Sequence, residues 1–349
     1  MATRTMINIA NAIDGLSRFA NLQPDEAKMV MLQIMNGGAS DAQIGAYLMA
    51  LRMKGETIEE ITGSARAMRA AASKVPTNVE GDLLDTCGTG GDKSGTFNIS
   101  TTVAFVAAAA GIPVAKHGNR AASSKCGSAD VLAELGVNLD LSPEQVGKCV
   151  DDIGIGFLFA VKLHPAMRHA IGPRRELGIR TIFNILGPLT NPAGAQRQLM
   201  GVFAPDLTDL LAQVLRALGS KSAMVVNGYG GLDELTTTGP NRISYLQEDG
   251  KITHIDVDPT ELGFHAAHIT DLKGDDAPTN AAILRSVLSG GDSGAKRDVV
   301  LLNAGAAIMA AGRTASIADG IEVAREAIDS GKAIGKLDQL IDLSQSLAS

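Results

Sequence analysis

The 349-residue chain carries 31 Lys and Arg against 38 Asp and Glu, a net charge of −7, with 45% hydrophobic residues, 3% aromatics and no Trp. That length suits two domains with an aliphatic core. An acidic chain with so few rings has neither the basic face nor the stacking surface of a general nucleic-acid binder. Cys87, Cys126 and Cys149 form no CxxC spacing. This argues against a disulfide framework or zinc site and for a reducing compartment. The N-terminal MATRTMINIANAIDGL has no continuous apolar stretch, and the longest apolar run, Val103–Ala115, contains Gly111 and Pro113 and is too short for a membrane span. These features point to a cytoplasmic protein without a membrane partner.

Residues 1–75 show helical periodicity throughout, with Gly37-Gly38 and Gly55 as breakers and Ser40 and Thr57 as expected N-caps. This predicts a small all-helical domain. Near residue 80 short apolar runs begin to alternate with helices. Leu83-Leu84 leads into a glycine loop, Ile99–Ala110 reads as a helix ended by Gly111, and Ile112–Ala115 as a strand. Ser128 is expected to cap a helix stopping at Gly136, Ser142-Pro143 to start another, and Gly156–Val161 to form a buried strand. Met167–Leu177 is helix-like and Gly187-Pro188 a turn. Further on come a helix at Leu207–Leu218, a strand at Ala223–Val226, and a hairpin from Ile243–Leu246 and Ile252–Val257. Helices follow near 279–289, 303–312 and 315–331. The pattern is α/β: a helical N-terminal domain and a large domain with a mostly parallel central sheet covered by helices.

Five segments carry chemistry. Asp85-Thr86-Cys87-Gly88-Thr89-Gly90-Gly91-Asp92 follows a strand, and its glycines let several N–H groups converge on one anion. Asp92 stands where a Walker A loop requires glycine, so the loop is not of that type. Thr96-Phe97-Asn98-Ile99-Ser100-Thr101 opens an alanine-rich helix whose N-terminus and hydroxyls suit a diphosphate and its magnesium. The loop Lys116 to Ser124 packs two cations, an imidazole, an amide and two hydroxyls together, and Ser128 adds another hydroxyl. Asp233-Glu234, alone a solvated surface pair, becomes a magnesium site beside phosphate loops. His164-Pro165-Ala166-Met167 is followed by Arg174, Arg175 and the Asn184 to Asn191 stretch, and one of the two arginines could pair with a carboxylate on an acceptor. His164 and His169 lack zinc-ligand spacing. Four of these segments follow predicted strands, so in a parallel sheet they converge at its carboxyl edge.

GTGGD at 88–92, NIST at 98–101, KHGNRAASS at 116–124, GSAD at 127–130, HPAM at 164–167, IRTIFNILGPLTNP at 179–192 and DE at 233–234 together resemble the anthranilate phosphoribosyltransferase family of tryptophan biosynthesis, over nearly the whole chain. The resemblance implies a nucleoside-phosphorylase-like fold with a helical domain over 1–75, completed by about 164–186, and an α/β domain over 76–349. It implies transfer of phosphoribose from 5-phosphoribosyl 1-diphosphate to anthranilate, with Mg2+ as cofactor, by a homodimer that could associate with a separate anthranilate synthase. By matched motif, phosphoribosyl diphosphate falls to Gly88, Gly91, Asp92, Thr96, Asn98, Ile99, Ser100, Thr101, Lys116, His117, Gly118, Asn119, Arg120, Ala121, Ala122, Ser123, Ser124 and Ser128. The metal falls to Ser100, Asp233 and Glu234, and anthranilate to Gly88, Asn119 and Arg174, with His117 and His164 near its channel. No covalent nucleophile is expected. A nucleoside phosphorylase of similar fold would not require the Asp233-Glu234 metal site.

Overall fold

The structure, a computed structural model, describes residues 7–121 and 125–347. In chain order the elements are α1 (Ile9–Ser17), α2 (Pro24–Met35), α3 (Asp41–Lys54), α4 (Ile58–Ala71), β1 (Leu84–Gly88), α5 (Ile99–Ala109), β2 (Val114–Gly118), α6 (Ser128–Glu134), α7 (Pro143–Ile153), β3 (Ile155–Phe159), α8 (Ala160–Leu163), α9 (Arg168–Leu177), α10 (Phe183–Leu186), β4 (Arg197–Gly201), α11 (Asp206–Ala217), β5 (Ser222–Asn227), β6 (Asn241–Leu246), β7 (Ile252–Val257), α12 (Ala277–Leu288), α13 (Ala295–Ala310), α14 (Ile317–Asp329) and α15 (Lys332–Ser346). They divide into two compact units, Met1–Ser73 with Val161–Thr190, and Lys74–Ala160 with Asn191–Ser349.

The first unit is helical. Ser40 and Thr57 cap α3 and α4 as expected, each in a reciprocal box with the residue three positions on. Glu60 closes the second box and is fully buried. Its carboxylate also accepts from Leu22 N–H at 3.0 Å and from the Lys54 ammonium at 2.9 Å, so the buried charge has a full set of partners. Helices α2 and α4 cross closely because Gly63 has no side chain: a β-carbon there would lie 2.1 Å from the Pro24 carbonyl oxygen. The 161–190 segment is fastened to α4 and the chain just after it by Arg69 Nε donating to Leu189 O at 2.7 Å and Ser73 N–H donating to Leu163 O at 2.9 Å.

The second unit holds a seven-stranded sheet in the order β3-β2-β1-β4-β5-β6-β7. Strands β3 to β5 along that order are parallel, and β6 and β7 form the antiparallel hairpin expected from the sequence. Strand β5 is buried at every position, which requires cover on both faces. Met224 and Val226 join the large aliphatic cluster with α5, α12, α13 and α14, and the alternate residues Ala223 and Val225 point the other way. Without tryptophan the helices pack on small residues. A β-carbon on Gly320 would meet the Gly305 carbonyl oxygen at 2.3 Å, so α13 and α14 are in backbone contact.

The expected elements need five corrections. The strand placed at 112–115 runs from Val114 to Gly118, so Lys116 and His117 are strand residues, not loop residues. The strand placed at 156–161 ends at Phe159, and a helical turn follows. Strand β4, at the centre of the sheet, and helix α15 had no sequence-based assignment, and α13 starts eight residues before the expected 303.

Candidate active site

The chain leaves β1 through α5 to β2 on one side, whereas β4 leads to β5 on the other. The sheet order therefore reverses between β1 and β4, the place where open α/β sheets bind ligands. Gly88 ends β1 in register with Gly201 at the end of β4, and Thr89 N–H donates to Gly201 O at 2.9 Å. Beyond Gly88, the loop turns with Gly90 at φ 68° and Gly91 at φ 79°, left-handed conformations that glycine adopts without strain.

The Asp233-Glu234 pair lies against this edge. Asp233 Oδ2 accepts from Gly90 N–H at 2.6 Å, and Glu234 Oε1 accepts from Ser100 N–H at 3.2 Å in the first turn of α5. Three glycines make room for the pair. A β-carbon on Gly88 would fall 2.5 Å from the Asp233 carboxylate, one on Gly201 1.5 Å from the Asp233 carbonyl oxygen, and one on Gly228 2.3 Å from the Glu234 carbonyl oxygen. Asn303 secures the next residue by accepting from Leu235 N–H at 3.0 Å and donating to Leu235 O at 2.7 Å.

The electrostatics suit a cation. Burial and the neighbouring Asp92 charge push the Asp233 carboxyl up to about 7. Burial and Asp233 raise Glu234 well above the usual carboxylate range. Asp92 Oδ2 is buried with no hydrogen-bond partner among the described residues. A divalent ion would relieve all three groups. Among the described residues no three carboxylate, imidazole or thiol groups form a ready cage. A magnesium ion that draws on one or two carboxylates, water and phosphate oxygens needs none.

Behind the loop, Asp85 is buried and accepts from His117 N–H at 3.0 Å and Asn191 Nδ2 at 2.9 Å. Burial raises its carboxyl to about 6 despite the nearby Lys116. Asn191 also donates to Ala115 O at 2.8 Å, tying β1 and β2 at the level of the site. The sequence placed Asn191 in the 179–192 motif without a role of its own and gave no sign of Asn303. A lone Asn carries no spacing signal, and their partners lie 106 and 68 residues away.

The remaining expected site residues fall into three groups. Those at the α5 entrance are together: Thr96 Oγ1 lies 3.2 Å from Ser94 Oγ, and Asn98 donates to Cys126 O at 3.3 Å and accepts from Asn280 at 3.0 Å. Ile99 and Thr101 are buried. Lys116 differs from expectation. It is buried in β2 and donates to Thr86 O, with Ser100 Oγ 3.5 Å away, because the strand runs three residues further than read. Arg120 pairs with Asp130 at 2.9 Å and stands 5.8 Å from the Phe159 ring centre. Gly118 is half-buried, Asn119 exposed, and Ala121 N–H donates to Asp130 at 2.9 Å. Ser128 is the first residue of α6, not its cap. Gly127 holds the cap position with Asp130, and Ser128 Oγ donates to Asn119 O at 3.2 Å. Ala122, Ser123 and Ser124 lie outside the described residues.

Arg174 and His164 belong to the helical unit. Arg174 is half-buried on α9, its guanidinium 5.0 Å from the Phe183 ring centre, and the adjacent Arg175 is exposed. Burial lowers the His164 imidazole to about 4, so it is neutral at pH 7.

Residues 80–334 match the glycosyl transferase family, a/b domain, and residues 9–72 the glycosyl transferase family, helical bundle domain. The anthranilate phosphoribosyltransferase of Geobacter sp. strain M21 is 53% identical, with 96% of this chain and 99% of that protein covered. The crystal structure of anthranilate phosphoribosyltransferase from Thermus thermophilus superposes with a TM-score of 0.91 at 44% identity, covering 96% of this chain and 99% of that one. The Saccharomyces cerevisiae enzyme in complex with PRPP and Mg gives 0.89 at 27% identity, covering 97% and 98%. The same yeast enzyme with 4-fluoroanthranilate gives 0.85 at 26%, covering 97% and 99%. A relative identical at more than half of its positions, along nearly the full length of both chains, places this chain in the anthranilate phosphoribosyltransferase family.

Proposed function

We infer that the chain transfers the 5-phosphoribosyl group from 5-phosphoribosyl 1-diphosphate to the amine of anthranilate, giving N-(5-phosphoribosyl)anthranilate and diphosphate, a step of tryptophan biosynthesis. One observation carries this reading. The half-buried Asp233 and buried Glu234 sit against the glycine loop and the N-terminus of α5, at the point where the sheet order reverses. The yeast relative, solved with PRPP and Mg and with 4-fluoroanthranilate, supports the same donor, metal and acceptor class here.

The reaction is a substitution at ribose C1′. A C–N bond to the neutral aromatic amine forms, the C–O bond to diphosphate breaks, and the amine loses a proton. Departure of diphosphate is the demanding part. The N–H groups after Gly88, the first turn of α5 and the hydroxyls of Thr96, Ser100 and Thr101 are assigned to the diphosphate. Ile99 contributes only backbone, since its side chain is buried. Lys116 lends positive charge from beneath the α5 entrance, and the 117–124 segment with Ser128 is assigned to phosphoribosyl diphosphate. Ser100, Asp233 and Glu234 would hold magnesium, which when bound offsets charge on the leaving oxygens. On the acceptor side, Arg174 offers a planar fork to the anthranilate carboxylate, with the aromatic Phe183 beneath it. Gly88, Asn119, His117 and His164 complete the acceptor assignment by resemblance.

The chain is further proposed to act as a homodimer in the cytoplasm. The exposed Phe19, Met53 and Ile171 of the helical unit support association of copies. Three cysteines, all buried and none in a disulfide, suit a reducing compartment. No described helix is long and apolar enough to cross a membrane. Association with a separate anthranilate synthase rests on the resemblance alone. The test of the reaction is loss of anthranilate fluorescence with phosphoribosyl diphosphate, with and without Mg2+.

A further inference from the structure

The carboxylates assigned to magnesium are bonded in this structure to the donors assigned to diphosphate. Asp233 takes the N–H of Gly90 in the glycine loop, and Glu234 takes the N–H of Ser100 at the positive end of the α5 dipole. Both are hydrogen bonds between segments far apart in sequence, at separations of 143 and 134 residues. The arrangement is not a loop accident. The pair's backbone is seated on Gly201 and Gly228, where no side chain would fit, and Asn303 grips Leu235 from both sides.

Resting on the reading of the site given above, we propose that Asp233 and Glu234 make it select the magnesium complex of diphosphate over the free anion. Without metal, the two carboxylates occupy the Gly90 and Ser100 donors that phosphate oxygens need. When the cation arrives with the diphosphate, the carboxylates turn to it and both donors are released to the phosphate. Free diphosphate brings nothing to draw the carboxylates away. It must displace the two hydrogen bonds that the carboxyl oxygens already hold. The metal dependence of donor binding then arises from the protein's own anions as well as from the bonds the metal makes.

Calorimetry with inorganic diphosphate on the full chain tests this. In EDTA, Glu234→Ala vacates the Ser100 donor and should bind diphosphate at least about tenfold tighter than wild type, the scale of a hydrogen bond to a charged group. Glu234→Gln loses the charge but keeps an oxygen that can accept from Ser100, so its gain should be clearly smaller. No gain in the alanine variant, or equal gains in the two, overturns the proposal; equal gains would mean simple charge repulsion. A second measurement needs no variant. First-turn helix amides ordinarily lack a partner, yet Ser100 and Gly90 N–H should be protected from hydrogen exchange in wild type held in EDTA. Exchange at open-chain rates contradicts the proposal even if the variants fail to fold. Wild type that takes up no diphosphate with Mg2+ removes the site reading and the proposal together. Wild type that does so, without the alanine gain in EDTA, sinks the proposal alone.

Discussion

The carbonyl oxygen of Asp233 lies where a side chain on Gly201 would have to be, 1.5 Å from the position of its β-carbon. Strand β4 thus does more than fill the sheet. Its last residue is the floor on which the metal-assigned pair rests.

Gly201→Ala is expected to displace Asp233 and raise the Mg2+ concentration needed for half-maximal activity. The added methyl group should also cost about 1–3 kcal/mol of stability, as overpacking does. Magnesium titration of activity beside urea denaturation separates the two effects. An unchanged magnesium requirement would show that Asp233 does not depend on this seat.

Gly90→Ala is expected to weaken phosphoribosyl diphosphate more than anthranilate. The reason lies in the backbone: a β-carbon at Gly90 meets nothing within 4 Å, but the residue sits at φ 68°. Alanine there costs about 1–2 kcal/mol in the left-handed region and tends to move the N–H that points at the site. Calorimetric affinities for both substrates check this. An unchanged diphosphate affinity would reduce the glycine loop to a turn.

How much of this was legible in the sequence depends on how local each signal was. The caps at Ser40 and Thr57, the helix of α5 and the β6–β7 hairpin all rest on neighbours within a few residues. Strand β4 escaped because it opens with Arg197 and Gln198, which read as surface. Arg197 is instead paired with Asp82 at 3.0 Å and with Glu248, partners 115 and 51 residues away. Helix α13 was legible only in part because it is buried on every side from Val299 to Ile308, which erases the 3.6-residue pattern. The Asp233-Glu234 pair looked like solvated charge until the neighbouring motifs suggested a site. Its burial against Gly88, Gly201 and Gly228 is a property of the sheet order, which no single segment encodes.

Arg174→Ala is expected to raise the anthranilate KM, with a smaller effect on phosphoribosyl diphosphate. A charge-assisted hydrogen bond is worth about 1.5–3 kcal/mol, which is roughly 10- to 150-fold in kcat/KM for anthranilate. Arg174 is half-buried over Phe183, whereas Arg175 is exposed and serves as the control. A larger anthranilate defect in Arg175→Ala, or a defect in Arg174→Ala confined to phosphoribosyl diphosphate, would place the acceptor carboxylate elsewhere.

The joining of anthranilate to phosphoribose by this chain is expected to depend on the Asp233-Glu234 pair. The most direct measurement follows anthranilate fluorescence with phosphoribosyl diphosphate, with Mg2+ and with EDTA, for wild type and for Asp233→Asn combined with Glu234→Gln. Wild type should consume anthranilate only with magnesium. The double variant, folded by circular dichroism, should be slower by at least about a hundredfold, the scale on which lost charge stabilisation acts on a leaving group. Consumption by wild type in EDTA, or near-normal turnover by the double variant at limiting magnesium, would contradict the account.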